Sequence, residues 1–235
     1  MKSKAAILWE TNKPWSVEEI ELDDPKAGEV LVEMKASGMC HSDEHLMTGD
    51  LPFALPIIGG HEGAGIVRKV GEGVSWLAPG DHVVFGFIPS CGRCPSCSTG
   101  HQNLCDLGAL MGGGRQITDG GSRHHARGQE LGLMCLLGTF AHHTVVNEAS
   151  CIKVDDDLPF DKVCLLGCVP VGCLAFGSRK ARRVARWDAL KRSLETMTIQ
   201  ITTAAERLGL IATTTMEPQA IPLDVRVVLV GERDL

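Results

Sequence analysis

The sequence predicts a mainly β protein whose long central loop is stapled by a metal ion. Three observations carry this reading. Short apolar runs split by Gly, Pro and Asp turns fill the first 85 residues. Cys91, Cys94, Cys97 and Cys105 crowd into one glycine-rich stretch. A histidine and a carboxylate, His61 and Glu62, sit side by side among four glycines in Gly59-Gly60-His61-Glu62-Gly63-Ala64-Gly65.

Residues 15–22 and 29–36 read as strands, separated by the turn composition Asp23-Asp24-Pro25-Lys26-Ala27-Gly28. In the second run Val30, Val32, Met34 and Ala36 alternate with Leu31, Glu33 and Lys35. That is the period of two of a half-buried strand. Residues 65–70 and 82–85 add two more strands. Gly71-Glu72-Gly73 between them lacks a third glycine and a following helix pattern, so it reads as a hairpin turn and not as a nucleotide loop. Residues 86–138 read mostly as loop, which at this length needs a staple or a task. Strand character returns at 140–146 and 152–154. A short helix is expected over 161–166, capped near Asp157. The pattern changes after Gly177: residues 178–195 carry seven basic side chains (Arg179, Lys180, Arg182, Arg183, Arg186, Lys191 and Arg192) against two acidic ones. Such a run is the mark of a solvated helix face. Residues 221–230 read as one buried strand.

Chemistry enters with the cysteines. The spacing C-x2-C-x2-C-x7-C from Cys91 to Cys105 lets successive thiolates curl around one ion. Four thiolates leave no open position, which makes this a structural zinc site. An iron–sulfur cluster is the chemical rival, since ferredoxin-type clusters use similar gaps. A second constellation is assembled from further apart. Cys40 and His61 offer a thiolate and an imidazole, Cys168 is placed as the third ligand, and Glu62 stands behind them as a group that tunes the charge. Three protein ligands and one open position define a catalytic zinc.

Composition bounds the rest. Apolar residues at 44% and charged residues at 22% suit a globular chain, and a net charge of −6 gives no bulk attraction to nucleic acid or to anionic membranes. The first ten residues lack the apolar stretch of a signal peptide. The uncharged stretch 163–177 spans 15 residues with Pro170 and three glycines, too short for a membrane span. A cytoplasmic protein is therefore expected. In a reducing compartment its ten cysteines point to metal or catalysis before disulfides.

The order Cys40-His41-Ser42-Asp43, Gly60-His61-Glu62-Gly63, the four-cysteine loop and Cys164-Leu165-Leu166-Gly167-Cys168 resembles the zinc-dependent medium-chain alcohol dehydrogenases. Asp119-Gly120-Gly121-Ser122-Arg123 and Thr144-Val145-Val146-Asn147-Glu148 also look like that family, and the similarity covers roughly residues 1–175. It is nearest to the bacterial nicotinoprotein-like and the glutathione- or mycothiol-linked formaldehyde branches.

The resemblance implies a GroES-like catalytic domain, a partly closed β-barrel. By it Cys40, His61 and Cys168 hold a catalytic zinc and Cys91, Cys94, Cys97 and Cys105 a structural one. Ser42 accepts the substrate proton and passes it toward His45. His41 lies against the cofactor pyrophosphate, and Leu51 and Phe87 line the substrate pocket. A small alcohol becomes an aldehyde as a hydride passes to NAD(P), because zinc acidifies the hydroxyl near neutral pH.

The chain then departs from the pattern. After Cys168 it reads Val169-Pro170-Val171-Gly172-Cys173, and no Gly-x-Gly-x-x-Gly loop of a Rossmann fold follows. Glu206-Arg207-Leu208-Gly209-Leu210, Glu217-Pro218 and residues 221–231 instead resemble a fragment of a Lon-type ATP-dependent protease, over about residues 187–235. The expectation is therefore a catalytic domain over 1–175 and an unrelated tail over 176–235, mixed or disordered and of chimeric or frameshifted origin. Such a chain is expected not to turn over alcohol. The alternative is a non-catalytic zinc-binding module.

Overall fold

The structure, a computed structural model, describes residues 1–168 and the backbone of residues 226–229. The basic run at 179–192, most of the tail and the ends of the 221–230 strand lie outside the described residues.

The chain enters on β1 (Lys2–Leu8), which the sequence pattern did not reveal because Ala5, Ala6, Ile7 and Leu8 are all fully buried and do not alternate. Then follow β2 (Ser16–Leu22), β3 (Glu29–Met39), α1 (His41–Thr48), β4 (Ile57–Ile58), β5 (Glu62–Val70) and β6 (His82–Phe85). The central stretch holds α2 (Pro95–Ser98), several 3-10 turns, and the short strands β7 (His124–Ala126), β8 (Gln129–Glu130) and β9 (Gly132–Leu133). The last elements are β10 (His143–Asn147), β11 (Cys151–Val154), α3 (Phe160–Val163) and β12 (Arg226–Leu229).

Two sheets result. One runs β8-β7-β2-β1-β4-β9, the other β10-β3-β5-β6-β11 with β12 beside β3. The expected alternation in β3 places Val30, Val32 and Met34 in one core cluster with Val67, Val83 and Phe85 and leaves Glu33 and Lys35 half-buried. Leu31, expected to face outward, is instead buried in another cluster with Leu22 and Val145. The β3–β5 ladder is antiparallel and shifts register twice, between Leu31 and Val32 and between Met34 and Ala36. Bulges of this kind bend a strand and increase its twist, which curves a sheet toward closure.

Two local expectations are corrected. The helix expected over 161–166 begins at Phe160 with Pro159 as its N-cap, not Asp157, and continues past Val163 as a 3-10 turn over Cys164–Gly167. The stretch after Met39, given no element from sequence, is α1. It opens on Cys40 as N-cap and closes on Gly49, whose left-handed φ of 88° donates its N–H to His45 O. The expected 82–85 strand matches β6, and the glycine pair at Gly71 and Gly73 forms a turn with no helix behind it.

Candidate metal centres

The first centre sits where three elements meet. The end of β3 delivers Cys40, the start of β5 delivers His61 and Glu62, and the 3-10 turn after α3 delivers Cys168. One ligand atom from each of these four residues lies within 4.8 Å of all the others. Cys168 Sγ stands 3.4 Å from His61 Nε2.

Backbone features make this convergence. Gly60 has φ 85°, and a side chain there would run into Thr139 and Phe140. The left-handed turn sets the direction in which His61 leaves the chain. Gly167 lies so close to β6 that a Cβ would collide with the Phe85 carbonyl oxygen, so only glycine lets Cys168 approach. Behind the cluster, Ser37 Oγ donates to Glu62 O at 2.8 Å and meets Thr139 Oγ1 at 2.7 Å. Thr139 N–H returns to Gly60 O at 3.1 Å.

Asp43 is the residue that sequence reasoning passed over. It is 1% exposed. Its carboxylate accepts Cys40 N–H at 2.9 Å through one oxygen and Gly60 N–H at 3.0 Å through the other. It thus ties together the two backbone segments that carry Cys40 and His61. The one available signal was position: Asp43 is three residues past Cys40, where a helix's third residue bonds back to the cap.

The electrostatics of the centre are those of a site built for a cation. The Cys168 thiol and the His61 ring hydrogen-bond Cys40 and bring its thiol down to about 3. Cys168 is pushed up in turn, first by that shared hydrogen bond and then by burial. Burial opposes charge on His61, but Asp43 and the Cys40 thiolate outweigh it and raise the ring to about 10. Burial lifts Glu62 to about 7. Glu62 Oε2 is buried and has no hydrogen-bond partner, and the same holds for His61 Nδ1. Two sulfurs, an imidazole nitrogen and an unpartnered buried carboxylate in one pocket fit a soft-to-borderline divalent ion such as zinc.

The second centre is the four-cysteine loop. Cys91, Cys94, Cys97 and Cys105 also bring their sulfurs within 4.8 Å of one another. Cys91 and Cys97 Sγ are 4.0 Å apart and Cys94 and Cys105 Sγ 3.9 Å. Four sulfurs each about 2.3 Å from a central zinc stand about 3.8 Å apart in a tetrahedron. A disulfide needs about 2.05 Å. The donor set therefore fits zinc and excludes a disulfide in this form of the loop. Backbone N–H groups support the sulfurs: Cys94 N–H donates to Cys91 Sγ at 3.3 Å, Cys91 N–H to Cys105 Sγ at 3.4 Å and Cys97 N–H to Cys94 Sγ at 3.5 Å. Burial opposes a Cys91 thiolate, yet the N–H groups of Arg93 and Cys94 bring it down to about 6. Burial pushes Cys105 up to about 12.

The remaining sequence candidates are placed unequally. Ser42 Oγ lies 3.6 Å from Cys40 Sγ, at the first centre. Phe87 packs edge-on to the His61 ring with centroids 6.4 Å apart. His41 and His45 stack on each other, 4.5 Å between centroids, on the outer face of α1. His41 pairs with Glu44 and His45 with Asp50, each at 3.2 Å. Ser42 and His45 share α1, but their contacts run to Cys40 and Asp50 and not to each other. Leu51 is 36% exposed.

Residues 26–156, more than half of the chain, match the model of the alcohol dehydrogenase GroES-like domain. The chain belongs to this family. Alcohol dehydrogenase B of Mycobacterium tuberculosis is 58% identical over 169 residues, 72% of this chain and 45% of that protein. The NDMA-dependent alcohol dehydrogenase of Amycolatopsis methanolica is 51% identical over 174 residues, 73% of this chain and 46% of that one. The chain thus spans about half the length of the curated relatives it matches. An alcohol dehydrogenase zinc-binding domain protein from Burkholderia ambifaria superposes with a TM-score of 0.67 at 36% identity, covering 72% of this chain and 46% of that one. Benzyl alcohol dehydrogenase from Acinetobacter calcoaceticus gives 0.60 at 30%, covering 72% and 45%. The mainly β GroES-like barrel with a cysteine-rich loop is therefore the fold observed, as the sequence led us to expect. Residues 178–235 match a second model, the LonB-like AAA domain, over the stretch where the sequence resembles a Lon-type protease. Among the described residues no helix is long and apolar enough to cross a membrane.

Proposed function

We propose that residues 1–175 are the catalytic half of a zinc-dependent alcohol dehydrogenase, oxidising a small alcohol to its aldehyde with a hydride passed to NAD(P). The observation that carries this reading is the meeting of Cys40, His61, Glu62 and Cys168 within 4.8 Å in a chain of this family. Cys40, His61 and Cys168 are the ligands of a catalytic zinc. Cys91, Cys94, Cys97 and Cys105 hold a structural one.

Zinc bound at the first centre supplies Lewis acidity at the substrate hydroxyl. The chain supplies the rest. Ser42, beside Cys40, accepts the hydroxyl proton, and His45 passes it to solvent past Asp50. That transfer requires His45 to leave its stack on His41, since the two imidazoles face each other and not Ser42. His41 is then free to meet the cofactor pyrophosphate. Phe87 covers one side of His61 and keeps water from it, while Glu62 and Asp43 set the charge and hold the ligands.

Residues 176–235 are read as an unrelated tail of chimeric or frameshifted origin, and they carry no Gly-x-Gly-x-x-Gly loop to hold a dinucleotide. The 235-residue chain alone does not turn over alcohol. Purified protein is assayed for zinc and for alcohol-dependent NADH formation. Two zinc ions per chain without turnover is the expected result. NADH formation overturns the inactive reading, and one zinc per chain, lost on replacing Cys105, reduces the molecule to a non-catalytic zinc-binding module.

A further inference from the structure

The two edges of β3 are used unequally. One edge pairs with β5 from Val30 to Gly38. The other pairs with β10 only over Glu29 to Glu33, and Met34 N–H closes that stretch on His142 O at 2.9 Å. Beyond it the second edge would present unpaired N–H and C=O groups, which is a template for another strand. β12 fills this place. Arg226, Val227, Val228 and Leu229 run parallel to β3 opposite Ala36, Ser37, Gly38 and Met39. Their β-branched and aliphatic composition suits a pleated strand. They belong to the stretch that matches the LonB-like domain, and not to the GroES-like domain that receives them.

The position of the edge gives it a consequence. Met39 is the last residue paired to β12, and Cys40 follows it directly. Gly38 lies opposite Glu62 in the β3–β5 ladder. Cys40 and Glu62, two members of the first centre, are thus both anchored on the four-residue stretch that β12 covers.

We propose that this edge of β3 is a strand-acceptor site for an extended β-branched segment, filled here by Arg226–Leu229, and that its occupancy steadies the Cys40 end of the metal centre. Main-chain hydrogen bonds supply the affinity in such strand addition. An open edge frays, and a frayed Ser37–Met39 stretch no longer holds Cys40 and Glu62 in a fixed relation. The second half of the proposal rests on the zinc reading of the first centre; the first half does not.

The test uses the full chain with Val227→Pro and Val228→Pro, made singly. Successive N–H groups of a strand point to opposite edges, so one of the two removes a donor aimed at β3. Hydrogen exchange is followed at Ser37, Gly38 and Met39, with Lys4, Ala5 and Ala6 of β1 as internal controls. In one variant the amides among these three that face β12 are expected to exchange at least about tenfold faster while the β1 amides keep their protection. A peptide spanning residues 222–232, added in trans, restores the protection. Zinc affinity at the first centre falls about tenfold in the same variant. Unchanged exchange in both variants overturns the acceptor site, and so does a loss of protection spread equally over β1. Faster exchange with unaltered zinc affinity overturns the coupling. Proline-sensitive exchange in a chain that takes no zinc at Cys40 refutes the metal reading and leaves the acceptor site standing.

Discussion

Asp43 Oδ1 lies 3.6 Å from His61 Nδ1, and both side chains are almost completely buried. This is too long for a hydrogen bond and close enough for a strong electrostatic effect. The carboxylate is held there by the Cys40 and Gly60 amides and cannot drift away from the ring. It favours the His61 tautomer that leaves Nε2 free toward Cys168, and it makes the ring a better donor to a cation.

Asp43→Asn keeps the shape and removes the charge. One amide oxygen still accepts a single backbone N–H, while the amide nitrogen faces the other donor. Zinc affinity at the first centre is expected to fall about 10–100-fold, the usual cost of removing a partner of this kind. Competition against a chromophoric chelator measures it. The four-cysteine loop does not depend on Asp43, so the second zinc stays. An Asp43→Asn chain that binds both ions as tightly as the parent would show that the carboxylate has only a backbone role.

The loop from Cys91 to Cys105 has little else to hold it. Leu104 is 63% exposed, and the loop's regular structure is limited to α2 and a 3-10 turn. On the proposed reading, metal binding is its main source of order. Cys105→Ser is expected to lose one zinc per chain and to lower the thermal midpoint by several degrees, a loss of ~1–2 kcal/mol being enough for that in a domain of this size. Cys135→Ser is the control. Cys135 is a non-ligand thiol, pushed up to about 12 by burial, and its replacement is expected to leave the zinc count unchanged. Elemental analysis beside a melting curve distinguishes the two.

The sequence revealed this loop because its chemistry is local. Three closely spaced cysteines and a closing fourth need no knowledge of the fold. β3 was legible for a similar reason, since Val30, Val32 and Met34 bury on one face. α1 was not legible. Of its eight residues only Asp43 and Leu46 are buried, so it shows no apolar stripe, and it is fixed by the Cys40 and Gly49 caps instead. β1 hid behind four consecutive buried residues with no alternation. The role of Asp43 became visible only when folding brought Gly60, 17 positions away, onto its second oxygen. Cys168 was placed from sequence on the family resemblance, and the fold supplies a physical reason for its approach in the Gly167–Phe85 contact.

Asp119-Gly120-Gly121-Ser122-Arg123, one of the runs that resemble the family, has a structural task. Arg123, 2% exposed, donates to both oxygens of the fully buried Glu29, at 2.9 and 2.8 Å. Thr118 Oγ1 and Lys26 N–H add two further bonds to the same carboxylate. Glu29 opens β3, so this network fixes where the central strand begins. Glu29→Gln removes the buried one of the two carboxylates that Arg123 pairs with and leaves only the partly exposed Asp119, 2.9 Å from its Nη2. Breaking such a pair costs about 3–5 kcal/mol. The urea midpoint is expected to fall accordingly, while Lys2→Ala, which breaks an exposed pair with Glu19, leaves it in place. Equal midpoints for Glu29→Gln and the parent would mean that Asp119, already paired with Arg123, balances the guanidinium by itself.

His124 sets an acid limit on the fold. It is completely buried, and burial brings its pKa down to about 3 from the usual 6.5, with smaller contributions from His125 and Arg123 and an opposing one from Asp23. The geometry agrees. Val145 N–H donates to His124 Nε2 at 3.3 Å, and the Thr144 hydroxyl gives its proton to Leu137 O at 2.6 Å. Nε2 is therefore an acceptor, and a second proton there would face a donor. Because the folded-state pKa is depressed, the unfolded chain takes up the proton first. The contribution of the neutral ring is fully present above about pH 6.5 and is lost as pH falls toward 3. His124→Gln places an amide oxygen near the Nε2 position and does not titrate. Its stability is expected to decline less steeply than that of the parent between pH 6.5 and 3, and the two curves run parallel above pH 7. Urea midpoints of the zinc-free proteins, taken across that window, separate this ring from the metal ligands. Parallel curves throughout the window would show that His124 is protonated in the folded state as readily as in the unfolded one.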